Sequence, residues 1–135
     1  MAKNINRKAK GTVGERELMH KFWDKGWACV RVAGSGSGKH PSCDLVAGNR
    51  HRKLAIECKT IGNQNVYISK EQIALMRQFS DIFGAESYVA VRFPGDGWYF
   101  LSLDDLKECK ANYAVTNEAA KAKGFILDEL IGETF

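Results

Sequence analysis

The sequence predicts an α/β domain, a central mixed β-sheet flanked by helices. Two segments carry apolar residues at helical spacing, short β-branched runs lie between and after them, and clusters of Gly, Pro, Asn and Ser separate the two kinds of segment. The 135 residues suit a single domain with one sizeable core. A hydrophobic fraction of 44% and a charged fraction of 27% are ordinary for a globular chain and exclude collagen-like, coiled-coil and disordered classes. No apolar stretch approaches the roughly 20 residues of a membrane span. Residues 1–11 form a basic, polar arm, expected to be flexible, with no apolar run behind it as a secretory signal would have. A cytoplasmic protein is expected.

The elements follow in order. Thr12-Val13-Gly14-Glu15 has the pattern of a capping box, so the first helix should begin at Thr12. Leu18, Met19, Phe22 and Trp23 give it an apolar face, and Lys25-Gly26 should stop it. Residues 27–33 read as a strand and 34–42 as a Gly/Ser-rich loop. Residues 43–47 and 54–60 read as a β-hairpin around 48–52, with a short strand at 66–68. Ser69-Lys70-Glu71-Gln72 is a second capping box, opening a helix with Ile73, Met76, Phe79 and Phe83 on one face and Gly84 at its end. Strands at 87–93 and 98–101 flank the turn 94–97. Helical pieces at 103–109 and 116–123 with a brief strand at 113–115 complete the pattern.

Charge and cysteine usage narrow the chemistry. The net charge of +4 is compatible with a polyanionic partner. Lys3, Arg7, Lys8 and Lys10 cluster in the arm, Arg50, Arg52 and Lys53 in the hairpin, and Lys39 sits in the loop; solvated surface is the plain alternative for each. Cys29, Cys43, Cys58 and Cys109 form no C-x-x-C pair, and three of them lie in apolar runs, as buried free thiols do. His20, His40 and His51 match no zinc signature. The loop Gly34-Ser35-Gly36-Ser37-Gly38-Lys39 is not a P-loop, because Ala33 stands where the first Gly should be and His40 where Ser or Thr should be.

The informative segment is Leu54-Ala55-Ile56-Glu57-Cys58-Lys59. Side chains alternate along a strand, so Glu57 and Lys59 share one face while Leu54, Ile56 and Cys58 share the other. Asp44 opens the preceding strand, and hairpin pairing brings it near Glu57. Two carboxylates held together need a cation or a proton between them. Mg2+ suits, with its oxygen ligands, retained waters and affinity for phosphate. Such an ion, with Lys59 orienting water or stabilising charge on phosphorus, would hydrolyse a phosphodiester. Spacing alone leaves a second reading open, with Asp44 as a turn residue and Glu57–Lys59 as a surface pair. Glu15 is likewise a cap residue or an active-site acid on this basis.

Asp44 with Ile56-Glu57-Cys58-Lys59 resembles the PD-(D/E)XK nuclease motif, although Pro41 stands earlier than the usual Pro next to the Asp. More specifically, the chain is similar to archaeal Holliday junction resolvases. The matching segments are Lys10-Gly11, Glu15-Arg16-Glu17-Leu18, residues 26–31, Gly34-Ser35-Gly36, residues 44–49, residues 55–59, Tyr67, Glu71-Gln72 and residues 79–84. The resemblance implies the restriction-endonuclease-like fold and Mg2+-dependent cleavage of four-way junctions in strands of like polarity by a homodimer, in homologous recombination and repair. It implies Glu15, Asp44 and Glu57 as metal ligands, Lys59 as the catalytic lysine and Ser35 as a loop serine assisting catalysis, with Ser37 a rival. It places Lys8, Lys10, Arg16, Arg31, Lys39 and Gln72 toward DNA, and Phe79 and Phe83 toward a dimer contact. Another nuclease on the same scaffold, or a non-catalytic DNA-binding module, remains the alternative. The acidic, apolar tail 127–135 either packs on the domain or docks onto a sliding clamp or another repair protein.

Overall fold

The computed structural model describes residues 2–33, 40–60, 65–95 and 97–132, with residues 2–10 as backbone alone. The first helix, α1, is Ala2–Asp24. It starts ten residues before the expected Thr12. The basic arm is rich in Ala, Lys and Arg and holds no Pro, so it carries the helix onward, and Thr12 lies inside it with no cap to make. Leu18 and Phe22 are fully buried, but Trp23 is 54% exposed. Its Nε1 donates to the Cys29 carbonyl at 2.9 Å, so it ties the helix to the next strand instead of joining the core. Gly26, at φ 84°, closes α1 as expected.

A five-stranded sheet follows. It contains β1 (Ala28–Arg31), β2 (Leu45–Gly48), β3 (Lys53–Thr60), β5 (Glu86–Phe93) and β6 (Gly97–Ser102), in the order β1-β2-β3-β5-β6. Only β3 and β5 pair in parallel. A parallel pair needs a crossover, which here runs through β4 (Asn65–Ser69) and α2 (Lys70–Phe83). The β2–β3 hairpin is as expected. The Asn49 side chain accepts from the amides of His51 and Arg52, both at 2.8 Å, and shapes its turn.

A second sheet, β4-β8-β7, was not anticipated. Residues 103–109 are not a helix. Leu103–Asp105 makes one 3-10 turn, and β7 (Lys107–Glu108) then pairs with β8 (Asn112–Thr116). Leu103 and Leu106 are both buried, which anchors the turn, and Cys109 N donates to Asn112 O at 2.8 Å to reverse the chain. Thr116 then caps α3 (Asn117–Lys123) by accepting from the Ala119 amide at 3.0 Å.

The five-stranded sheet is covered on both faces. Leu54 and Ile56 pack with Leu18 and Phe22 of α1 and with Leu130, whereas Val89 and Val91 pack with Ile73 and Met76 of α2 and with Val66 and Ile68 of β4. The final helix, α4 (Leu127–Ile131), spends Leu127, Leu130 and Ile131 on the first of these clusters. The tail therefore packs on the domain as far as it is described. On α2, the buried row is Ile73, Met76 and Ser80. Ser87 donates a hydroxyl hydrogen bond to Ser80 beneath the helix, and the bulkier Phe79 and Phe83 stack on each other further out, ring centroids 5.3 Å apart. Phe83 is 42% exposed, so it does not extend the core face as the spacing predicted. Among the described residues no helix is long and apolar enough to cross a membrane.

Candidate active site

The hairpin register builds the site. Leu45 pairs with Ile56, so the next rung sets Asp44 against Glu57. Asp44 is held firmly. Its amide donates to Ile56 O at 2.9 Å, its carbonyl accepts from Val32 N at 2.8 Å, and its Oδ2 accepts from Cys58 N at 2.9 Å. Glu57 and Lys59 lie on the α2 face of β3, because their partners on β5 are Val89 and Val91. Glu57 is only 6% exposed. Lys59 Nζ stands 3.8 Å from Glu57 Oε2, and Gln72 Nε2 donates to that same oxygen.

Gln72 is the point where local chemistry was redirected. Ser69 caps α2 as expected, accepting from the Gln72 amide at 3.0 Å. The Gln72 side chain does not complete the capping box by reaching back. It turns to Glu57, where a buried carboxylate oxygen requires a donor. It thus lies in the cleft beside Glu57.

Burial, then the neighbouring Asp44 charge, raise Glu57 from 4.5 to about 8, with Lys59 pulling the other way. Glu15 arrives from α1 on the opposite face. It can approach because Gly14 lies against β3, where a Cβ would overlap Thr60 Oγ1. Arg31 Nη1 donates to Glu15 Oε1 at 3.3 Å. Burial and Asp44 raise the Glu15 pKa, while Arg31 and Lys59 oppose them.

These groups line an open cleft of about 670 Å³ between α1 and the start of α2. Glu15, Asp44, Glu57, Lys59 and Gln72 all face it. So do His40, Ser42 and Ser69, which were not singled out for the site; Ser69 was detectable as the residue that starts α2 beside Gln72. Arg16 is exposed on α1, and Arg31 is tied to Glu15. Ser35, Ser37 and Lys39 lie outside the described residues, as do the side chains of Lys8 and Lys10. Phe79 and Phe83 are not among the residues that line the cleft. Cys29 and Cys43 are buried, and burial pushes both thiols up to about 12, so they are inert packing groups.

The donor set fits a hard divalent cation. Two adjacent acids, one of them driven toward protonation by burial and then by the other, are relieved by an ion as well as by a proton. Among the described residues, no three His, Cys, Asp or Glu side chains converge closely enough to hold an ion. Mg2+ needs only one or two carboxylates and keeps its waters.

Comparison with known proteins agrees with this geometry. The family model described as "Archaeal holliday junction resolvase (hjc)" matches residues 6–135. A curated crossover junction endodeoxyribonuclease Hjc of Archaeoglobus fulgidus is 37% identical over 128 residues, covering 95% of this chain and 93% of the relative. That of Methanocaldococcus jannaschii is 37% identical over 123 residues, covering 91% and 87%. The solved structure of Archaeoglobus fulgidus Hjc, a Holliday junction resolvase, superposes with a TM-score of 0.84 at 34% identity, covering 93% of this chain and 98% of that one. With the mixed sheet and the acidic cleft in place, the chain belongs to the archaeal Holliday junction resolvase family.

Proposed function

We propose that the protein is a Mg2+-dependent endonuclease that resolves four-way DNA junctions by paired cuts in strands of like polarity. The observation that carries this is the buried Asp44–Glu57 carboxylate pair with the Lys59 ammonium 3.8 Å from Glu57, at the floor of an open polar cleft. Asp44 and Glu57 are the residues that would hold the ion, with Glu15 within electrostatic reach. Bound there, Mg2+ supplies Lewis-acid polarisation of the scissile phosphate and acidifies water. Gln72 fixes Glu57 Oε2 by its hydrogen bond, with Lys59 Nζ 3.8 Å away, so one carboxylate oxygen is oriented before substrate arrives. Lys59, 28% exposed, is free to pivot toward a phosphate, where it positions the attacking water or offsets charge on phosphorus. Arg16 and Arg31, with Lys8, Lys10 and Lys39, bind the sugar-phosphate backbone, so recognition follows branched shape more than base sequence.

A junction has approximate two-fold symmetry, and two matched cuts need two sites in matching orientation. A C2 dimer supplies them. The exposed apolar residues on α2, Leu75 at 37%, Ile82 at 80% and Phe83 at 42%, support the contact expected there with Phe79.

The test is a synthetic four-way junction incubated with and without Mg2+, with both nicks mapped. Symmetric nicks in two strands of like polarity, dependent on Mg2+ and absent from linear duplex of the same sequence, are expected. Equal cutting of junction and duplex would replace the junction specificity with a general nuclease activity.

A further inference from the structure

We infer that Arg31 is a latch on Glu15: in the free protein it withholds this carboxylate from the ion site, and a DNA phosphate that draws Arg31 away releases Glu15 to complete it. This rests on the reading above, since it takes a backbone phosphate and a divalent cation as the two coupled ligands.

Glu15 lines the cleft and interacts electrostatically with Asp44, Glu57 and Lys59, so it faces the carboxylate pair. Yet Glu15 does not converge with Asp44 and Glu57 into a three-carboxylate group. Its Oε1 instead receives Arg31 Nη1 at 3.3 Å, with side chains 18% and 26% exposed. Arg31 is well placed to couple the two. It pairs with Leu45 at the end of β1, and its neighbour Val32 donates its amide to the Asp44 carbonyl. The guanidinium is partly open to solvent.

A guanidinium fork engages one anion best. The contact to Glu15 is long and single, whereas a phosphate held by other contacts along the backbone presents two oxygens in fork geometry. Transfer of Arg31 to that phosphate leaves the Glu15 carboxylate without its ion pair beside Asp44 and Glu57, and a divalent cation then binds more tightly. By linkage, the cation raises affinity for DNA by the same factor.

The experiment measures Mn2+ binding by electron paramagnetic resonance and Mg2+ binding by calorimetry. It uses the full chain carrying Lys59→Ala, so that an added junction stays intact. Without DNA, Arg31→Ala is expected to tighten Mn2+ binding by about three- to tenfold, a modest coupling. In the Glu15→Gln background the same substitution should change nothing. Arg31→Gln keeps much of the side-chain stem and should repeat the pattern if Arg31→Ala does not fold. Added junction should tighten Mn2+ binding about tenfold more when Glu15 is present than in the Glu15→Gln background. A gain from Arg31→Ala of equal size with and without Glu15 would mean a through-space charge effect and would overturn the latch, as would no gain at all. Nothing is cleaved in this assay, so its failure leaves junction resolution standing. Failure of junction specificity in the cleavage assay leaves the coupling intact.

Discussion

Both ends of the β2–β3 hairpin carry charged side chains, and the fold treats the two sets in opposite ways. At the turn end, Arg52, Lys53 and Glu86 are matched. Arg52 forks onto Glu86 with two contacts of 2.8 Å, donates to Leu130 O at 2.6 Å and lies 5.6 Å from the Trp27 ring centroid. Lys53 donates to Phe83 O at 3.0 Å, offsetting the carbonyl-rich end of α2. The Arg52 hydrogen bonds hold Glu86 below the usual carboxylate range. At the other end, Asp44 and Glu57 are pressed together in a buried setting, and Glu57 rises to about 8. Charges placed to stabilise the fold lower each other's energy. The charges at the cleft raise it, with Lys59 opposing, and an ion or a proton relieves them.

The largest effect that sharpens this contrast is catalytic. Asp44→Asn, Glu57→Gln and Lys59→Ala should each lower junction cleavage by at least about a hundredfold. Junction binding in a gel-shift assay should survive. Undiminished cleavage would remove that residue from the chemistry.

The second effect is on stability, and its sign follows from Glu57. The folded protein holds this proton up to about pH 8, whereas the unfolded chain releases it near 4.5. The folded state therefore binds more protons through that window, and stability falls as pH rises from about 4.5 to about 8. The loss should be on the order of a few kcal/mol in the absence of divalent ions. Glu57→Gln should flatten that slope in urea titrations, and added Mg2+ should reduce it in the wild type. An unchanged slope in Glu57→Gln would show that the strain lies elsewhere.

At the turn end the expectation reverses. Arg52→Ala should destabilise the fold by about 1–2 kcal/mol through loss of the Leu130 hydrogen bond, the cation–π contact with Trp27 and the partly screened Glu86 pair. Cleavage measured well below the melting temperature should barely change. Lys53→Ala, more exposed, should cost under about 1 kcal/mol by the same measurement.

Much of the site was legible because strand alternation is local. Glu57 and Lys59 had to share a face, and a hairpin had to set Asp44 opposite Glu57. The hydrophobic repeats of α1 and α2 were visible for the same reason. What escaped depended on partners distant in sequence. The second sheet needs β4 to meet β8 across some 50 residues, as Asn65 pairs with Thr116. Gln72 has the same side chain whether it caps α2 or binds Glu57, and only the buried oxygen decides. Trp23 carries helical spacing but finds the Cys29 carbonyl before it finds the core. Thr12-x-x-Glu15 has the form of a helix start, but a chain of good helix formers ran through it.

Asp44 and Glu57 are both largely buried and pressed together, so a divalent cation should bind between them. Anomalous diffraction from Mn2+-soaked crystals of the DNA-free protein tests it most directly. One strong peak is expected within coordination distance of both carboxylates, with Glu15 still paired to Arg31. A peak that avoids Asp44 and Glu57, or none at saturating Mn2+, would contradict it.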